Sequence, residues 1–143
     1  MANFDKEFDK LILVEGGYSF DPDDAGGETY LGISRKANPQ WRGWVYIDEV
    51  KKANKNVSNS KLTFILKSND NITKSAKRLY KNMYWDIIDL DDIPSQKIAH
   101  QLFDTAVNCG VSRAIRIAQQ VVGMTITGKW SNELRYNLMQ YGE

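Results

Sequence analysis

At 143 residues, with 42% hydrophobic and 26% charged residues, the chain is long enough for one domain with a buried core and has the balance of a globular protein. A single cysteine, Cys109, excludes an internal disulfide and is expected to pack as a small apolar residue; no stretch reaches the length of a membrane span, and Met1 to Lys10 lacks the basic-then-apolar order of a signal peptide. The net charge of +1 hides a partition: residues 51–82 hold nine Lys/Arg against one Asp/Glu, a block that reads either as attraction to an anionic polymer or as an ordinary solvated face.

Phe4, Phe8, Leu11 and Ile12 recur at helical spacing, which predicts an amphipathic helix from Asn3 to about Glu15, stopped by Gly16-Gly17 and carrying Glu15 in its last turn. The loop to Gly27 is rich in turn formers, and the alternation through Thr29 to Ile33 predicts a short extended piece. Ser34 is placed to cap a short helix that Pro39 ends, and Tyr46 to Ala53 reads as another. Asn54 to Ser60 reads as a surface loop, and Leu62 to Leu66 fits a strand and a buried helical turn equally well.

From Asn71, the spacing of Ile72, Ala76, Leu79, Tyr80 and Met83 predicts a helix. Ser95 caps the next, which Gly110 ends; Ser112 starts a third, and Ser131 opens a last one through Leu134 and Leu138. The architecture expected is mainly α, with a small β or extended element after the first helix.

Chemistry concentrates near the amino terminus. Glu15 stands at a helix carboxyl end, where the macrodipole favours its protonated form, the state a general acid needs. An acidic loop, Asp21-Pro22-Asp23-Asp24, then brings back a second carboxylate and the Thr29 hydroxyl. Asp24 suits stabilisation of a positive transition state or of an attacking water, with Thr29 orienting that water; the competing reading of each loop aspartate is turn formation. A calcium loop fits poorly, because Ala25 and Gly32 stand where oxygen ligands are needed. The lone histidine, His100, and lone cysteine supply too few ligands for zinc. No cofactor is implied.

Glu15-Gly16-Gly17-Tyr18, Asp24 before Gly26-Gly27, Thr29, Gly32-Ile33, Tyr84-Trp85 and the Phe103 to Asn108 run together resemble glycoside hydrolase family 108. That family comprises lysozyme-like muramidases, many of them phage or prophage endolysins and some described as secretion activators. The resemblance implies a lysozyme-like helical fold, Glu15 as acid with Asp24 and Thr29 as its catalytic partners, and glycan contacts from Tyr18, Tyr30, Tyr84, Trp85, Asp104 and Asn108. It divides the chain into a catalytic region, 1–94, and a helical segment, 95–143, similar to a peptidoglycan-binding region and expected to share one core with the first. The bond implied is the β-1,4 link between N-acetylmuramic acid and N-acetylglucosamine. A lytic transglycosylase, and a non-catalytic wall-binding or secretion-accessory protein, are the alternatives. The expected partners are peptidoglycan strands and a holin or other export route, with no nucleic acid and no membrane span. The protein is expected to be a monomer made in the bacterial cytoplasm and acting at the wall.

Overall fold

The computed structural model describes residues 1–141. In chain order it holds α1 (Phe4–Val14), β1 (Ser19–Phe20), β2 (Glu28–Tyr30), β3 (Ile33–Ser34), α2 (Gly43–Ala53), α3 (Asn59–Lys67), α4 (Asp70–Tyr80), α5 (Gln96–Cys109), α6 (Val111–Val121) and α7 (Asn132–Gln140). The fold is mainly α with one small antiparallel sheet in the order β1-β2-β3. Two compact units divide it: Asp9–Leu79, and Met1–Phe8 with Tyr80–Glu143. The division thus falls inside α1 and at the end of α4.

In the Asp9–Leu79 unit, α1 ends as its periodicity requires, and the amide of Glu15 makes the closing bond to the Leu11 carbonyl at 2.9 Å. Glu15 therefore sits just past the last helical turn. The extended piece expected over Thr29 to Ile33 is two strands, paired Tyr30 to Ile33 across the tight turn Leu31-Gly32. Both turn residues have positive φ, 50° and 78°, the geometry a two-residue hairpin needs to match strand twist. Leu31 adopts it without being glycine, and its side chain is buried.

The helix expected after Ser34 is a single turn. Asn38 stands before Pro39, where helical backbone is disfavoured, and the Ser34 hydroxyl donates to the Gly26 carbonyl. The 54–60 loop is shorter than expected, because the Ser58 hydroxyl accepts from the Lys61 amide and starts α3. Leu62 and Leu66 are then buried one helical turn apart, which resolves that stretch as helix. Trp41 and Trp44 meet edge to face, and a Cβ on the intervening Gly43 would stand about 2.3 Å from the Trp41 ring.

The other unit is built on an aromatic cluster. Phe4 packs on Phe8, and Phe4, Trp85 and Phe103 pack mutually edge to face with centroids 5.4–5.8 Å apart. A π-helical segment, Lys81–Trp85, follows α4 and turns Trp85 fully inward, where its indole nitrogen donates to Asp91. Ser95 and Ser131 cap α5 and α7 through their side chains, as expected. Gly110, at φ 95°, both ends α5 and opens α6, one residue before the expected start.

Two single residues depart from expectation or sharpen it. Cys109 is exposed, since it lies on the solvent side of the last turn of α5. His100 pairs through Nδ1 with the buried carboxylate of Glu7, which Gln96 also bonds. No helix of the described residues is long and apolar enough to cross a membrane.

Candidate functional site

The Asp9–Leu79 unit holds the three residues expected to carry chemistry. Glu15 is half-buried, at the point where α1 gives way to Gly16-Gly17. Gly17 is required by a close approach: a Cβ there would lie 2.5 Å from the Thr63 side chain of α3. The same Thr63 hydroxyl accepts from the Tyr18 amide at 2.8 Å and donates to the Asn59 carbonyl. The glycine pair therefore does more than stop a helix, because it lets the segment after Glu15 lie against α3.

The acidic loop is organised by its own aspartates. Asp21 accepts from the Asp23 amide, and its carbonyl accepts from Asp24. Asp24 accepts in turn from Gly26 through its carboxylate, at 3.4 Å, and from Gly27 through its carbonyl. The Thr29 methyl lies 3.8 Å from where a Gly26 Cβ would stand, so Asp24 and Thr29 flank one glycine. Asp24 is exposed and Thr29 half-buried. Asp21 and Asp23 are exposed as well, and among the described residues no group of three His, Cys, Asp or Glu is placed to hold a metal ion.

Strand alternation puts Glu28 and Tyr30 on the face opposite Thr29, and that face is buried. Glu28 is only 5% exposed. Its carboxylate accepts from the Tyr18 hydroxyl, from Lys51 at 2.7 Å and from Arg35 at 2.8 Å, while Arg35 forms a two-pronged pair with Asp48. Burial alone would raise the Glu28 pKa, but the hydrogen bonds from Lys51, Tyr18 and Arg35 outweigh it and hold the group below its ordinary value. Glu28 is thus kept ionised, which suits a structural anion and not a proton donor. Burial and the Glu28 carboxylate together raise the Tyr18 pKa.

Sequence reading missed this cluster, and Lys51, counted there among a solvated or polymer-binding block, is committed to Glu28 and lies over the Tyr18 and Phe20 rings. One signal was available. The alternation that buries Tyr30 also buries Glu28, and a buried carboxylate needs cations.

The residues expected to contact glycan are divided between the two units. Tyr18 and Tyr30 are buried in this unit, Tyr18 holding Glu28 and Tyr30 leaving its hydroxyl without a hydrogen-bond partner. Burial pushes the Tyr30 pKa up to about 12. Tyr84, Trp85, Asp104 and Asn108 belong to the other unit. Trp85 is a core residue with no ring face open; Tyr84 is half-buried against Tyr80. Asp104 and Asn108 are exposed neighbours on α5, the amide of Asn108 donating to the Asp104 carbonyl and carboxylate.

With this geometry in view, the comparisons give the class. The model of the family described as glycosyl hydrolase 108 matches residues 8–110, most of the chain, and the chain belongs to that family. It is a glycoside hydrolase. The solved structure of Brucella abortus SagA is similar to it at 25% sequence identity with a TM-score of 0.66, over 97% of this chain and 70% of that one. No curated protein matches the chain.

Proposed function

We propose that the protein hydrolyses peptidoglycan as an N-acetylmuramidase, cleaving the β-1,4 link between N-acetylmuramic acid and N-acetylglucosamine. The observation that carries the reading is the family match over residues 8–110, which spans Glu15, Asp24 and Thr29. Glu15 protonates the leaving oxygen. Asp24 and Thr29, on either side of Gly26 in sequence, manage the attacking water or the oxocarbenium-like transition state. Glu15 is half-buried at the end of α1, a setting that suits an acid. The segment 95–143 completes a core with residues 80–94 and does not act as a detachable wall-binding module.

Product ends test the bond and the reaction together. A muramidase acting on sacculi leaves reducing muramic acid ends; anhydro ends would mean a lytic transglycosylase instead. Binding to sacculi with no soluble fragments released would mean an accessory protein.

A further inference from the structure

We infer that Glu28 is a positioning residue for Glu15, acting through the Tyr18 hydroxyl, an inference that rests on reading Glu15 as the acid. Between Glu15 and Tyr18 stand only Gly16 and Gly17, and around the position of a Gly16 Cβ there is open space. Glycine restricts its own backbone least of all residues, so this segment takes its course from its anchors. Upstream the anchor is the bond from the Glu15 amide to Leu11 at 2.9 Å. Downstream it is Tyr18, held twice: by its amide on Thr63 at 2.8 Å and by its hydroxyl on the Glu28 carboxylate.

The Glu28 end of that tether is fixed. Lys51 on α2 and Arg35, in the turn after β3, hold the carboxylate, and Asp48 fixes the Arg35 guanidinium with two bonds of 2.8 Å. Glu28 also precedes Thr29 on β2 and pairs with Phe20 on β1. One ionised side chain therefore ties the segment leaving Glu15 to the strand that carries Thr29. A general acid is sensitive to such placement, since a misplacement of about 1 Å can cost roughly 10²-fold in rate.

The test is the steady-state kinetics of Tyr18→Phe, Glu28→Gln and the double variant on soluble, uncrosslinked peptidoglycan strands, with Ile47→Val as a control that loosens the same unit's core. Ile47 is fully buried on α2 and takes no part in the cluster. Each single variant should lower kcat by about 10-fold or more while KM stays within about twofold, and the double should fall no further than the worse single, because both remove one link. Ile47→Val should keep kcat. Unchanged kcat, losses that multiply in the double, a loss confined to KM, or an equal loss in Ile47→Val would each overturn the inference. If Glu28→Gln does not fold, Tyr18→Phe decides alone, and an unchanged kcat in that variant would overturn the tether. Full activity in Glu15→Gln would instead remove the acid assignment. An inactive Glu15→Gln beside a fully active Tyr18→Phe would remove only the tether.

Discussion

At the scale of the residue, Glu28 is a buried carboxylate held by two cations. Removing one member of a buried charge pair leaves the others desolvated and typically costs about 3–5 kcal/mol; Arg35 and Lys51 are each about a third exposed, and water compensates them in part, so Glu28→Ala should sit near the lower end, about 3 kcal/mol. Chemical denaturation measures it directly. The same side chain shapes the acid limb of stability. Because its folded pKa is lowered, its contribution is fully present above its ordinary value of 4.5 and is lost as pH falls through the lower folded value. Melting temperature should therefore drop on acidification more steeply in the wild type than in Glu28→Gln, and parallel acid limbs would contradict this. Tyr30 acts at the other end. Its pKa is raised to about 12 by burial, so stability held below pH 10.0 is lost as pH rises toward that value, and Tyr30→Phe should shift the alkaline limb upward.

At the scale of the element, the segment after α1 separates two glycines that look alike in sequence. Gly16 faces open space and lies outside the left-handed region, so Gly16→Ala should be neutral or stabilise by about 0.4–1 kcal/mol through the unfolded chain. Gly17→Ala forces a methyl against Thr63 and should destabilise by roughly 1–3 kcal/mol. Equal melting temperatures in the two variants would refute the close approach. The contrast marks what sequence could convey. Helix faces and caps were legible, because Phe4, Phe8, Ser95, Gly110 and Ser131 act through neighbours three or four positions away. The Gly17–Thr63 contact and the Glu28 cluster were not, because Thr63 lies 45 residues from Tyr18 and Lys51 lies 23 from Glu28. The burial of Trp85 was not legible either. Its inward turn depends on a π-helical segment that the 3.6-residue pattern does not announce.

At the scale of the molecule, residues from 95 onward are bonded to residues that precede them. Trp130 donates to Asp89 and Arg135 to Asp92, and Phe103 has its ring partners in Phe4 and Trp85. A fragment of residues 95–143 loses all of these, so it should show no cooperative thermal transition by circular dichroism; a sharp melt would make it a module after all. The site follows the same logic, since the three residues proposed for chemistry lie within 15–29, and their neighbours Tyr18 and Glu28 are held by Arg35, Lys51 and Thr63. The central claim is that Glu15 protonates the leaving oxygen of a wall glycan. Mass analysis of the soluble products released from purified sacculi by the wild type and by folded Glu15→Gln tests it most directly: the wild type should release fragments with reducing muramic acid ends, and the variant should release them at least about 10²-fold more slowly. Equal release by the two proteins would contradict it.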